Sequence, residues 1–131
     1  MNTISYYQQL IKPSWAPPAS WFGPVWTVLY ILIAISFGAV FYKIIKGDLP
    51  RVLALPLVLN LIFNVAFTPI QFGLQNNYLA ALDILLVLAT LIWAMIAIKP
   101  HLTWFVYANI PYLLWVSFAT ILQLSVTYLN R

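Results

Sequence analysis

Residues 78–98 read YLAALDILLVLATLIWAMIAI, and Asp83 is the only charged side chain among them. A helix of about 20 apolar residues is long enough to cross the hydrocarbon core of a bilayer. A membrane-spanning strand needs only about ten residues of alternating polarity, and this stretch does not alternate. The stretch therefore predicts a transmembrane α-helix.

Three further stretches, two before it and one after it, are long enough to span a membrane and contain no charged residue. The connections between the stretches are short, and short connections place consecutive helices side by side and antiparallel. We therefore predict an all-α membrane protein with a bundle of four transmembrane helices. Residues 1–131 would form one transmembrane domain, with residues 1–24 as an N-terminal segment and residues 25–131 as the bundle. The three further stretches are Val25–Tyr42, Val52–Gln71 and Leu102–Leu129.

The composition supports this interpretation and excludes several other classes of protein. Of 131 residues, 64% are hydrophobic and only 6% are charged, whereas soluble domains have about 25% charged residues. A water-soluble domain, a disordered chain and a coiled coil are excluded. The absence of cysteine excludes disulfides and thiolate metal sites. The six basic residues form no run, so we expect no nucleic-acid partner.

The distribution of the basic residues predicts the orientation of the bundle. An even number of spans places both termini on the same side of the membrane. More basic residues lie in the loops of the opposite side, and basic loops face the cytoplasm. We therefore predict a multi-pass protein with both termini outside the cytoplasm, in a membrane that the sequence does not identify. The loops contain Lys43, Lys46, Arg51 and Lys99, and the termini contain Lys12 and Arg131.

The segment KPSWAPPASWFGPVWTVLY, residues 12–30, is rich in proline and tryptophan. Its four prolines prevent one continuous helix, because each ring removes a backbone donor and makes the preceding residue extended. One interpretation is an aromatic belt at the membrane interface. The other is a stiff lid, centred on residues 15–26, that closes over a flat apolar ligand.

The second predicted span presents polar side chains on one face. Asn60, Asn64, Phe67 and Gln71 follow one another at helical spacing. Amides are costly in contact with lipid, so they should face the protein interior. They would either bond to neighbouring helices or line a ligand pocket. Pro69 in the same span predicts a kink.

Two other spans carry faces that would suit a pocket. The first has Trp26 and Tyr30 one turn apart, and the last has Trp115, Ala119 and Gln123 at successive turns. A large indole beside a small alanine is typical of a pocket wall with a recess. Such a face is also typical of ordinary core packing.

Asp83 and His101 are the remaining candidates for chemistry. Asp83 lies within a span, where it would either cap or bond helices or take part in proton or ligand chemistry. His101 has no second metal ligand near it, so we expect no metal site. Pro111 predicts a kink in the last span. The chain offers no catalytic triad, no phosphate-binding glycine loop and no paired carboxylates, so hydrolysis is not expected.

Several motifs in order resemble the TspO/MBR family, the tryptophan-rich sensory protein and translocator protein family, also called the peripheral benzodiazepine receptor family. The first group is KP at 12–13, Trp15, PP at 17–18, FGPVW at 22–26 and LY at 29–30. The later motifs are NVAF at 64–67 with FG at 72–73, ALDILL at 81–86 and PYLLWVSFAT at 111–120.

The resemblance implies a five-helix fold, often dimeric, whose pocket is closed by the loop between its first two helices. It implies ligands such as protoporphyrin IX, haem, cholesterol, synthetic isoquinoline carboxamides and benzodiazepines, and in some members light-dependent degradation of protoporphyrin. Only eleven residues precede Lys12, so this chain resembles family helices two to five and lacks the first. Residues 126–131 fit the loose sterol pattern but lie a few positions late, which gives sterol binding little support.

The resemblance also assigns roles to residues. We expect a membrane receptor for tetrapyrroles that forms a homodimer and has no resident cofactor. The alternatives are a light-dependent porphyrin-degrading enzyme, with Trp26 and Trp115 as its catalytic residues, and a small transporter in which Asp83 couples protons. The implied ligand-binding residues are Tyr7, Pro17, Phe22, Trp26, Tyr30, Asn64, Phe67, Gln71, Trp115, Ala119 and Gln123.

Overall fold

The computed structural model describes residues 8–130, except for the side chain of Ala19. These residues form helices and connecting turns and contain no strand, which confirms the all-α prediction. The α-helices are α1 (Phe22–Ile45), α2 (Ala54–Thr68), α3 (Asn77–Ile98), α4 (Thr103–Ala108) and α5 (Ile110–Leu129).

Four of the described helices are long and apolar enough to cross a membrane. The second of them combines α2 with a 3-10 turn before it and a π-helical turn after it. The exposed face of each long helix carries large apolar side chains, as expected for a surface in contact with lipid. The prediction of a multi-pass integral membrane protein is therefore confirmed. The four spans are Phe22–Ile45, Arg51–Gly73, Asn77–Ile98 and Ile110–Leu129.

Helix α3 lies at the centre of the bundle, where it packs along both α2 and α5, while α1 contacts α2 and α4. Phe37 of α1 stacks on Phe105 of α4 with ring centroids 5.6 Å apart. Leu57, Val87 and Leu91 are fully or almost fully buried in the same core. This packing leaves space between α1 and α5.

The last predicted span, residues 102–129, is divided at Asn109, two residues before the position of the predicted kink at Pro111. The φ and ψ angles of Asn109 are −100° and 4°, and α4 ends just before it. Its amide donates hydrogen bonds to Ser36 Oγ at 3.0 Å and to Phe105 O at 2.9 Å. Pro111 therefore lies in the first turn of α5, where a missing N–H costs no helical hydrogen bond.

The kink predicted at Pro69 takes the form of a π-helical turn, Pro69–Gly73. The N–H of Leu74 donates to Pro69 O at 2.9 Å, which closes the wider turn. Within this turn Gln71 is only 2% exposed. The following helix α3 begins at a side-chain cap, because Asn76 Oδ1 accepts a hydrogen bond from Leu79 N at 3.0 Å.

Candidate functional site

A cavity of about 340 Å³ lies between α1, α2 and α5, with one residue of α3 in its lining. Its volume is near the lower end of the range of small-molecule sites, about 300–1,000 Å³. Most of the lining is aromatic or aliphatic, with a few amides. The lining residues are Leu10, Phe22, Gly23, Trp26, Tyr30, Asn64, Phe67, Thr68, Gln71, Phe72, Ile84, Trp115, Ala119, Leu122, Gln123 and Val126.

Nine of the eleven residues expected to bind ligand line this cavity. They come together because each group follows one face of its helix, and those faces point into the same space. Tyr7 lies outside the described residues. Contact of the nine residues with a ligand stays a prediction. They are Phe22, Trp26, Tyr30, Asn64, Phe67, Gln71, Trp115, Ala119 and Gln123.

Pro17, the remaining expected pocket residue, does not line the cavity. It lies in a separate groove of about 870 Å³, which we call the outer groove. This groove is formed by residues 15–18 and Trp21, by the first turns of α1 and by α5. The N-terminal segment turns towards α5 there, with the rings of Trp15 and Phe118 edge to face at 5.6 Å. Trp21 also lines this groove, so much of the expected lid covers α5 rather than the cavity.

The sequence did not identify every residue of the cavity. Thr68 lies one turn after Asn64, and Leu122 lies three residues after Ala119 on the same face, so helical spacing could have found both. No pattern indicated Leu10. The side chain of Asn130 holds this part of the chain, because it bonds to the backbone of the next residue, Ile11. The sequences of the two segments give no sign of such a contact.

Aromatic side chains form two sides of the cavity. On α1 the rings of Trp26 and Tyr30 lie 5.4 Å apart. On the α5 side Trp115 contacts Phe22 edge to face at 5.9 Å and lies 5.6 Å from Phe118. Trp115 lines both the cavity and the outer groove. Its Nε1 is buried and has no hydrogen-bond partner in the described part of the chain.

A chain of hydrogen bonds leads from the cavity into the core. Tyr30 Oη donates to Asn64 Oδ1 at 3.2 Å, and Asn64 Nδ2 donates to Tyr112 Oη at 2.7 Å. Tyr112 Oη donates to Asn60 Oδ1 at 2.9 Å, and Asn60 Nδ2 donates to Val87 O at 3.0 Å. Interhelical bonding therefore accounts for Asn60, whereas Asn64 both bonds to other helices and lines the cavity.

A second group of polar side chains lies where α2, α3 and α5 meet. Gln71 Nε2 donates to Asn77 Oδ1 at 3.0 Å, and Gln123 Nε2 lies 3.3 Å from Gln71 Oε1. Gln123 Nε2 also lies 3.1 Å from Thr127 Oγ1, which donates to Asn77 O at 3.0 Å. These contacts join the three spans and hold Gln71 and Gln123 in the lining.

Asp83 is separate from the cavity lining. It is 5% exposed, and its Oδ2 has no hydrogen-bond partner among residues 8–130. The cap of α3 comes instead from Asn76. In the same described residues no three His, Cys, Asp or Glu side chains are grouped in a way that could hold a metal ion.

Comparison with known proteins finds relatives that match about two thirds to three quarters of this chain. The tryptophan-rich protein TspO of Bacillus cereus is 41% identical over 86 residues, which are 66% of this chain and 55% of that protein. The uncharacterized membrane protein YtaB of Bacillus subtilis is 34% identical over 96 residues, 73% of this chain and 61% of that protein. The human translocator protein is 37% identical over 87 residues, 64% and 50% of the two chains.

The matches with these relatives cover only 50–61% of their length. The family model, in contrast, matches residues 1–129, almost the whole of this chain. The chain therefore belongs to the TspO/MBR family.

Proposed function

We propose that the protein is a membrane receptor that binds tetrapyrroles, such as protoporphyrin IX or haem, and similar flat apolar ligands in the cavity. The observation that carries this proposal is the position of Trp26 on α1 and Trp115 on α5, both in the lining of one cavity. Indole faces suit a flat conjugated ring. The amide of Asn64 adds a polar group among apolar neighbours, which is typical of small-molecule sites.

A tetrapyrrole with its side chains is a large ligand for a cavity of about 340 Å³, near the lower end of small-molecule sites, and the proposal therefore includes movement of a lining segment. Leu10 is the lining residue that is not part of a membrane span. We expect the ring to enter edge first and to displace this part of the N-terminal segment. Its backbone is held by Asn130, whose hydrogen bonds with Ile11 are exposed and therefore weak against competing water.

Titration with protoporphyrin IX in detergent tests the proposal. Binding is followed by the visible absorption of the porphyrin, so that loss of a tryptophan does not change the signal itself. We expect Trp26→Phe and Trp115→Phe each to weaken binding by up to about 10-fold, because phenyl keeps only part of an aromatic contact that contributes about 0.5–1.5 kcal/mol. A mass measurement of the complex tests the expected homodimer.

Trp93→Phe is the matched control, because Trp93 lies on α3, is 42% exposed and does not line the cavity. Unchanged affinity in both cavity variants, or an equal loss in Trp93→Phe, would contradict the proposed site.

Light-dependent degradation of porphyrin is the second candidate function. It is favoured by the two cavity tryptophans, since an excited ring needs an oxidisable side chain in contact with it, and Trp26 and Trp115 would fill that role. Illumination of the purified complex, with product analysis, separates this activity from binding. Bleaching at the rate of free porphyrin in protein-free detergent would exclude it.

A further inference from the structure

We propose that the cavity selects ligands that present a hydrogen-bond donor to Tyr30, and that the backbone carbonyl of Val87 sets this preference. The inference rests on the proposed function only in taking the cavity as the ligand site. The link between the carbonyl and the cavity is the chain of side chains Asn60, Tyr112 and Asn64. Each of its hydrogen bonds can run in only one direction.

The direction of these hydrogen bonds is set at the buried end of the row, where Asn60 meets α3. The NH₂ group of Asn60 lies 3.0 Å from Val87 O and 3.2 Å from Thr90 Oγ1. A backbone carbonyl only accepts hydrogen bonds. The hydroxyl of Thr90 donates to Leu86 O at 2.7 Å, so its oxygen is also an acceptor towards Asn60. The amide of Asn60 must therefore point its NH₂ group at α3, which leaves its Oδ1 facing Tyr112.

The next two side chains pass this direction on. Asn60 Oδ1 accepts the single hydroxyl hydrogen of Tyr112 at 2.9 Å. The oxygen of Tyr112 must then accept from Asn64, whose Nδ2 lies 2.7 Å away. Asn60 and Tyr112 are both 0% exposed, so water does not compete for these bonds. The amide of Asn64 is thereby held with its Oδ1 towards Tyr30.

At the cavity end the hydroxyl of Tyr30 has no hydrogen left to offer. Tyr30 Oη lies 3.2 Å from Asn64 Oδ1, and an amide oxygen only accepts, so Tyr30 is the donor. If Tyr30 donated to a ligand instead, the buried Asn64 oxygen would lose its partner. Tyr30 therefore presents only oxygen lone pairs to a molecule in the cavity.

A complementary ligand thus carries an N–H or O–H group at Tyr30. An ionised carboxylate accepts only, so it does not suit this position. An asymmetric ligand is therefore expected to lie with its donor group towards Tyr30. The Nε1–H of Trp115 plays no part in this preference, because it is itself buried.

Flat three-ring probes of nearly equal shape test the inference. Carbazole has an N–H group where fluorene has CH₂ and fluorenone has C=O. Affinities are measured in detergent and corrected for partition into protein-free micelles. We expect wild type to bind carbazole about 2- to 10-fold more tightly than fluorene, the range given by one net hydrogen bond. Tyr30→Phe should bring the carbazole-to-fluorene ratio close to one.

The matched control is Tyr42→Phe, because Tyr42 lies on the same helix, is exposed and is not part of the cavity lining. It should keep the wild-type ratio. In Tyr112→Phe the amide of Asn64 is released from its fixed direction and Tyr30 can donate. The preference for carbazole should then fall while affinity for fluorenone rises relative to fluorene, a reversal that a change in packing alone would not produce.

Three results would overturn the inference: no carbazole preference in wild type, an unchanged ratio in Tyr30→Phe, or no binding of any three-ring probe. The comparison of wild type with Tyr30→Phe decides the matter even if Tyr112→Phe does not fold. Protoporphyrin IX binding without a carbazole preference would remove this inference alone. A carbazole preference without protoporphyrin IX binding would instead remove the proposed tetrapyrrole function.

Discussion

The side chain of Asn130 forms two hydrogen bonds with the backbone of Ile11, accepting from its N–H at 3.1 Å and donating to its C=O at 2.9 Å. The same amide nitrogen also lies 2.8 Å from Val126 O. These contacts join the N-terminal segment to the end of α5. They hold Leu10, which precedes Ile11, in the lining of the cavity.

We expect Asn130→Ala to accelerate ligand exchange. Loss of two exposed hydrogen bonds, worth about 0.5–1.5 kcal/mol each, should release the segment around Leu10 and raise the dissociation rate of protoporphyrin IX several-fold. Stopped-flow displacement measures that rate. Ser125→Ala is the control, because among residues 8–130 the Ser125 hydroxyl bonds only to Ile121 O of its own helix. Equal rates in wild type and Asn130→Ala would show that the segment does not limit exchange.

Tyr112→Phe should destabilise the bundle. The variant leaves Asn60 Oδ1 without its donor and Asn64 Nδ2 without its acceptor, and both residues are buried. A loss of about 1–3 kcal/mol in the free energy of unfolding is expected, measured by thermal unfolding in detergent. Tyr107→Phe, at a 67% exposed position, should have little effect. A Tyr112→Phe variant as stable as wild type would contradict the hydrogen-bond chain.

Asp83→Leu should stabilise the protein. The carboxyl of Asp83 is buried and its Oδ2 has no partner among the described residues, so its removal recovers a desolvation cost on the order of 1 kcal/mol. Asp83→Asn keeps a polar group in the same place and should gain much less. A lower unfolding temperature for Asp83→Leu would show that the carboxyl has a stabilising partner in the folded protein.

The orientation of the bundle can be measured directly, because the chain contains no cysteine. We expect Ser14→Cys to react in intact cells with a membrane-impermeant maleimide, since Ser14 precedes the first span and is exposed. Lys46→Cys, in the exposed loop after α1, should react only after the cells are opened. The opposite pattern would reverse the orientation that the basic loops predict.

The spans and most of the cavity lining could be predicted because both depend on helical periodicity. Trp26 and Tyr30, or Trp115 and Ala119, share a face whatever their neighbours are. Pro17 was misplaced because its position depends on how a non-helical segment packs on α5. A loop has no periodicity from which such packing can be read.

The position of the helix break, at Asn109 rather than at Pro111, and the direction of the hydrogen bonds at Tyr30 could not be predicted for a different reason. Each depends on an atom far away in sequence: Ser36 Oγ accepts from Asn109, and Val87 O orients Asn60. The amide face of α2 was visible in the sequence, but its partners were not. Only the packing of three helices shows that Asn60 serves the core while Asn64 faces the cavity.

The indole of Trp115 forms part of two hollows, the cavity and the outer groove. Trp115 is therefore a side chain that both spaces share, and it lies beside a surface that includes Trp21, Val28 and Leu114, all exposed and apolar. A change in the rotamer of that indole would alter the shape of both spaces at once. A hydrophobic compound that enters the outer groove from the bilayer would thus be felt inside the protein through one ring.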